Sequence, residues 1–316
     1  MPSPSHRGRF VWHELLTTDT KAAEGFFTKV AGWKAKPFDQ SYTLFLTGKQ
    51  NRAGLMALPA EAKAMGAKPH WESYVAVSSV DETAKQATGL GGKVLKAPTD
   101  IPNVGRFAIL QDPQGASIAV FTSSDGMPMN EQSGVGDFSW HELATTDWKA
   151  ALAFYKNLFG WQETNAMDMG PQGTYQMFGL DGKTMGGIYN AGPQQPGAPS
   201  WLPYIRIPDA KKSAALIKTL GATVINGPME VPGGDMIAQG LDLQGIPFAV
   251  HSVKAKAAAP SKPASRPAVK KKAAKTAAKK AKPAKRAAAK KRPAAKKKSA
   301  KGASAKKSKR AGGRRR

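Results

Sequence analysis

The stretch FVWHELLTTD, Phe10 to Asp19, decides the fold, because it returns as FSWHELATTD, Phe138 to Asp147, 128 residues later. Self-similarity at one offset identifies a repeated folding unit before any secondary structure is assigned. Working outward, Phe26-Phe27 and Gly32-Trp33 match Phe154-Tyr155 and Gly160-Trp161, and Tyr42 and Gly54 match Tyr175 and Gly187. Trp71 and Tyr74 then pair with Trp201 and Tyr204, while Gly91, Pro98, Asp112, Gln114 and Gly115 pair with Gly221, Pro228, Asp242, Gln244 and Gly245. The chain therefore reads as two copies of one domain, at 10–125 and 138–253. A flexible start at 1–9, a linker at 126–137 and a tail at 254–316 complete it.

Each copy reads in turn as two units of strand, helix and three strands, an α+β pattern. Phe10 to Thr17 looks like a strand, and Asp19 suits an N-cap whose carboxylate accepts an orphan backbone N–H. Ala22, Ala23, Phe26, Phe27 and Val30 follow at helical spacing, and Gly32 suits the left-handed residue that stops the helix. Strands are expected near 33–38, 42–47 and 54–58. The second unit repeats the order, with a strand at 72–77, a helix at about 81–90 and strands near 93–95, 106–111 and 117–121. Two such units predict an eight-stranded cupped sheet per copy.

The opening strand, the Thr-Asp cap, Ala-x-x-Phe-Phe/Tyr, the Gly-Trp stop and the Asp112-Pro113-Gln114-Gly115 turn resemble the vicinal oxygen chelate superfamily of glyoxalases, bleomycin-binding proteins and extradiol dioxygenases. The resemblance covers residues 8 to 252. It implies a metal held from the first, fifth and eighth strands of a domain. In the first copy those seats fall on Trp12, Glu72 and Ala119, and in the second on Trp140, Leu202 and Ala249. Trp, Leu and Ala offer no lone pair to a divalent cation, so at most one ligand, Glu72, survives in the first cup and none in the second, and neither a metal nor any other cofactor is expected. A slip of one residue would bring His13 or His141 into the cup. Strand alternation instead points His13, Leu15 and Thr17 toward the helix and Trp12, Glu14 and Leu16 into the cup.

Candidate site residues follow from that alternation. Glu14, Glu142 and Glu72 are candidate acid–base groups, because a carboxylate beside apolar rings has a raised pKa; structural hydrogen bonding is the alternative. Trp12, Tyr74, Trp140 and Tyr204 suit an aromatic box for a flat or cationic ligand, or simply core filling. Arg206 suits an anion in the second cup, where the first copy has Ala76, so the two cups are expected to differ. His13 and His141 read as packing histidines under the first helix. No Gly-x-Ser-x-Gly elbow, Walker loop or His-Glu-x-x-His pair is found.

The net charge of +26 conceals two different polymers. Residues 254–316 carry 27 Lys and Arg with no acidic and no aromatic residue, whereas residues 1–253 hold 21 basic and 22 acidic residues and every Trp, Phe and Tyr. Such a tail, similar to those of linker histones and bacterial histone-like proteins, lacks the apolar surface to offset ordering entropy. Its candidate contacts to nucleic acid are Lys270, Lys271, Lys272, Lys279, Lys280, Lys290, Lys291, Arg292, Lys296, Lys297, Lys298, Arg314, Arg315 and Arg316. Without aromatics or amides, binding to DNA or RNA is expected to ignore sequence; a solubilising tail and an anionic membrane or polyphosphate partner are the alternatives.

The chain has no cysteine, which excludes disulfides and thiol chemistry. No secretory signal and no membrane-spanning run is read, so the expected location is cytoplasmic, on the nucleoid. The preferred expectation is a metal-free module binding a small, partly aromatic molecule and tethered to DNA. The rivals are a glyoxalase-like lyase or isomerase, or a dioxygenase-type enzyme, and a nucleoid-compacting protein. A monomer with an internal pseudo-dimer and a homodimer both remain open.

Overall fold

The computed structural model describes residues 7–124, 134–192 and 199–254. The tail positions named above lie outside the described residues. The first domain runs β1 (Phe10–Thr17), α1 (Thr20–Val30), β2 (Lys34–Pro37), β3 (Tyr42–Thr47), β4 (Gln50–Ala57), a short α2 (Ala60–Ala64), β5 (His70–Ala76), α3 (Val80–Gly89), β6 (Lys93–Ile101), β7 (Gly105–Gln111) and β8 (Ser117–Ser123). The second runs β9 (Phe138–Thr145), α4 (Trp148–Phe159), β10 (Gln162–Asp168), β11 (Thr174–Leu180), β12 (Lys183–Asn190), β13 (Ser200–Arg206), α5 (Ala210–Thr219), β14 (Thr223–Glu230), β15 (Met236–Leu241) and β16 (Pro247–Ser252). Each domain is one eight-stranded sheet, in the order β2-β3-β4-β1-β5-β8-β7-β6 and its equivalent β10-β11-β12-β9-β13-β16-β15-β14.

Local chemistry sets the boundaries. The Asp19 side chain accepts from the Ala22 N–H, and Asp147 accepts from Lys149 and Ala150. Gly32 and Gly160 stop α1 and α4 with φ of +69° and +80°, a region costly for residues with a Cβ. The helix α3 begins at Val80, one residue before the expected start, because Ser79 caps it by accepting from the Glu82 N–H. Strand β6 continues past Leu95 to Ile101 through two irregularities in its pairing with β7, which strict alternation does not anticipate. The helix α2 was not anticipated either, since its five residues present no buried side chain.

The helices cover one face of each sheet, and the two covered faces are buried against each other. Leu15, Phe26, Phe27, Trp33 and Trp71 of the first domain share a core with Ile217, Phe248 and Val250 of the second. Val75, Leu110 and Ile118 share the other core with Phe154, Tyr155, Trp161 and Phe178. Both of these large cores draw side chains from the two domains together.

A pseudo-twofold relation organises this seam. Trp33 donates its indole N–H to the Gly136 carbonyl at 2.9 Å, and Trp161 donates to the Gly8 carbonyl at 2.6 Å. Residues 8–9, expected to be part of a flexible start, are bound by Gly8 N–H to Ala76 O and Ala76 N–H to Arg9 O. The last linker residues repeat this at Arg206, through Gly136 N–H and Asp137 O. His13 and His141 do not simply pack under their own first helices. They meet on the dyad with Nε2 atoms 2.8 Å apart, and each stacks on the other domain's Phe138 or Phe10.

Candidate functional site

Strands β1 and β5 are antiparallel neighbours with Trp12 opposite Tyr74 and Glu14 opposite Glu72. Strand β8 lies parallel to β5 with Ala119 beside Tyr74. Alternation puts these side chains on the helix-free face, where Tyr74, Ala119 and Phe121 cluster with Trp12, Phe107 and Ile109. His13 belongs to the opposite face with Leu15, so the histidine pair takes no part in the cups.

At the centre of the first cup is Glu14, only 8 % exposed. Tyr74 donates its hydroxyl to Glu14 Oε2 at 2.9 Å. Tyr42, which is also hydrogen-bonded to Glu14, accepts the Trp12 indole N–H at 3.0 Å. The second cup repeats the arrangement: Trp140 donates to the Tyr175 hydroxyl at 2.8 Å, and Tyr175 donates to Glu142 Oε2 at 3.0 Å. Tyr204 is hydrogen-bonded to the same carboxylate. The glycines paired in the repeat, Gly54 and Gly187, make room for these phenols, since a Cβ on either would collide with the Tyr42 hydroxyl or the Tyr175 ring.

The cups differ around this shared motif. Opposite Glu142 stands Leu202 instead of a carboxylate, and Gln239 donates to Glu142 Oε1 at 2.9 Å and to the Tyr204 hydroxyl at 2.6 Å. The equivalent of Gln239 is the apolar Ile109, each lying beside the alanine of the last strand. In the first cup Glu72 is 1 % exposed, with Oε2 3.2 Å from His70 Nε2 and Oε1 buried without a partner. His70 Nδ1 is 2.7 Å from the Lys68 carbonyl, so both ring nitrogens face acceptors. Burial works against the imidazolium, but the Glu72 hydrogen bond and charge outweigh it and the His70 pKa is raised.

Burial lifts Glu14 and Glu142 above the usual carboxylate range. The tyrosine hydrogen bonds oppose this in both cups, while the Glu72 charge adds to it in the first. Burial, and then the adjacent carboxylate, also raise Tyr42, Tyr74, Tyr175 and Tyr204, which keeps the four phenols protonated and donating. Arg206 lies opposite His251, and its charge acts on Asp137 and Asp235 at the edge of the second cup. A separate groove of about 340 Å³ lies at the seam beside Lys29, Thr47, Asp209 and Lys212, away from both carboxylates.

Of the expected metal seats, Trp12, Ala119, Trp140, Leu202 and Ala249 offer no lone pair to an ion, and only Glu72 keeps a carboxylate, with Oε1 buried and unpartnered. Trp12 and Trp140 use their N–H groups as donors to tyrosines, and the oxygens of Glu14 and Glu142 face phenol or amide donors. Among the described residues no group of three or more His, Asp or Glu is placed to hold an ion. The structure gathers the candidates Trp12, Glu14, Glu72 and Tyr74 into one cluster and Trp140, Glu142 and Tyr204 into another. Tyr42, Tyr175, His70 and Gln239, which the sequence does not single out as site residues, join these clusters by hydrogen bonds. The repeat of the Tyr–Gly pair was the one available signal for the first two.

The Mycobacterium tuberculosis (strain CDC 1551 / Oshkosh) protein named "Putative glyoxylase CFP32" is 29% identical over 248 residues, covering 76% of this chain and 92% of that protein. The anthracycline biosynthesis protein DnrV of Streptomyces peucetius is 27% identical over 263 residues, covering 78% and 94%. Among solved structures, the Mn(II)-bound glyoxalase from Novosphingobium aromaticivorans superposes with a TM-score of 0.55 at 14% identity, covering 78% of this chain and 82% of that one. The 2,2',3-trihydroxybiphenyl 1,2-dioxygenase from Sphingomonas wittichii strain RW1 gives 0.56 at 12%, covering 77% and 89%; likenesses this remote concern the fold alone. The Glyoxalase/Bleomycin resistance protein/Dioxygenase superfamily model matches residues 9–120 and again 138–250. With the model matching twice, once over most of each sheet, the chain belongs to the Glyoxalase/Bleomycin resistance protein/Dioxygenase superfamily as a tandem pair of its domains.

Proposed function

We propose that the two cups bind small, partly aromatic molecules without a resident metal. The observation that carries this reading is the repeated Trp–Tyr–Glu–Tyr cluster, which fills the family's coordinating face with a carboxylate held by phenols. A buried carboxylate amid aromatic walls recognises a hydrogen-bond donor on a flat ligand. Because Glu72 and His70 are confined to the first cup and Gln239 and Arg206 to the second, the two favour different ligands. Thermal-shift screening of the full chain against flat phenols and aromatic amides tests this, with Glu14→Gln and Glu142→Gln each expected to abolish the shift from one class only. A panel without any shift contradicts the reading.

The raised pKa of Glu14 also favours a second reading, a metal-independent lyase or isomerase in which Glu14, Glu72 or Glu142 moves a substrate proton. Turnover of a bound compound, lost in Glu14→Gln while binding persists, would distinguish it from a receptor.

For the tail we propose sequence-blind attachment to nucleic acid, which would hold the cups on the nucleoid. Its support is 27 cationic residues in 63 without one anion. Affinity for duplex DNA is expected to fall with a log–log salt slope of about −0.9 per phosphate engaged, and to vanish when the chain ends at Val253. A salt-independent affinity contradicts this, and compaction of long DNA by the tail in the absence of ligand binding would favour a purely architectural protein.

A further inference from the structure

On the second domain, Ser139, His251 and Asp235 form a hydrogen-bonded chain that takes no part in holding Glu142. Ser139 Oγ lies 2.8 Å from His251 Nδ1, and His251 Nε2 lies 3.0 Å from Asp235 Oδ2. The other oxygen of Asp235 accepts the Lys254 N–H at 2.8 Å, which fixes the carboxylate. Burial pushes Asp235 up, but the Lys254 and His251 hydrogen bonds prevail and hold it low.

An ionised Asp235 requires the proton on Nε2, leaving Nδ1 bare to accept the serine proton. Nucleophile, base and orienting carboxylate are thus linked in order, with the two ring nitrogens exchanged relative to the usual triad and the proton balance unchanged. The serine reaches the ring through a bulge: Tyr204 pairs with Trp140 and Ile205 with Phe138, so Ser139 is the extra residue. A longer contact of 3.4 Å to the Tyr204 carbonyl is its other hydrogen bond. Ser139 and His251 are each partly exposed.

Duplication did not produce this chain. The equivalent positions in the first domain are Val11, Phe121 and Gly105, none of which can transfer a proton. The triad is confined to one half, unlike the carboxylate cluster, which both halves share.

We propose that Ser139 is a nucleophile toward small activated esters, with His251 as its base and Asp235 as the positioning residue. The Ser139 Oγ–acyl bond forms as the hydroxyl proton passes to His251 Nδ1. Collapse of the tetrahedral intermediate breaks the bond to the leaving alkoxide, which takes that proton. Water, deprotonated in turn by His251, attacks the acyl-serine and releases the carboxylic acid.

The test is covalent labelling of the full chain with an alkyl fluorophosphonate, which forms a Ser–O–P bond and releases fluoride. A single adduct mapped to Ser139 is expected. Ser139→Val should abolish it, and His251→Phe and Asp235→Asn should each slow it at least tenfold. Val and Phe already stand at these places in the first domain, and an unchanged thermal melt verifies folding. Absence of an adduct on Ser139, or a rate unaffected by His251→Phe, overturns the proposal and leaves a purely structural hydrogen-bond chain.

Discussion

Tyr155 donates its hydroxyl to Asp112 Oδ2 across the domain seam at 3.0 Å, and the same hydroxyl accepts the Trp201 indole N–H at 3.1 Å. In the other half the equivalent of Tyr155 is Phe27, and both groups that a hydroxyl would join, Asp242 Oδ2 and Trp71 Nε1, are buried without partners. The repeat has therefore kept the socket and lost the plug. Phe27→Tyr should restore both hydrogen bonds and stabilise the protein by about 1–2 kcal/mol, within the range for satisfying buried polar groups. Chemical denaturation measures it, and a destabilised variant would show that the two groups do not converge on the ring edge.

Gly54 and Gly187 are expected to matter for binding more than for folding. Their φ angles are not positive, so alanine brings no backbone strain, only the collision with Tyr42 or Tyr175. Gly54→Ala should swing Tyr42 off Glu14 and weaken binding in the first cup at least tenfold, leaving the second cup intact. Titration calorimetry with a cup-specific ligand checks this; equal losses in both cups would contradict it.

The histidine pair sets an acid limit on stability. His141 Nδ1 faces the Met185 carbonyl at 3.3 Å, so its Nε2 accepts and His13 Nε2 donates. Burial lowers His141 to about 3, and burial together with the His141 charge lowers His13 well below its usual value. The unfolded chain, titrating near 6.5, binds more protons than the folded one throughout that window. Stability is therefore undiminished above about pH 6.5 and falls as pH drops toward 3, by about 1 kcal/mol per pH unit for His141, with His13 acting in the same direction. His13→Gln, which can still donate to His141, should flatten the slope between pH 6 and 4. An unchanged slope would mean that other groups govern acid unfolding.

Much of the architecture was legible because it rests on local chemistry written twice. Asp19 and Asp147 cap, Gly32 and Gly160 stop, and the alternation of Trp12, His13 and Glu14 separates cup from core. What escaped depends on pairing between distant strands. Tyr42 reaches Glu14 only because β4, which pairs with β3, lies parallel to β1 with Gly54 beside Glu14. Gln239 comes from β15, 97 residues from Glu142, and Ser139 turns toward His251 only through a bulge that breaks period two. The meeting of His13 with His141 depends on how two helical faces stack, which no single strand pattern encodes.

Phenol-held carboxylates occupy the face on which relatives of this fold are expected to hold a metal. Elemental analysis of the full chain, purified without chelators and dialysed against trace Mn, Fe, Ni and Zn, tests it most directly. Far less than one ion per chain is predicted, with no change in thermal stability on adding EDTA. One ion per domain, released by EDTA with loss of stability and retained less well by Glu14→Gln or Glu142→Gln, would contradict it.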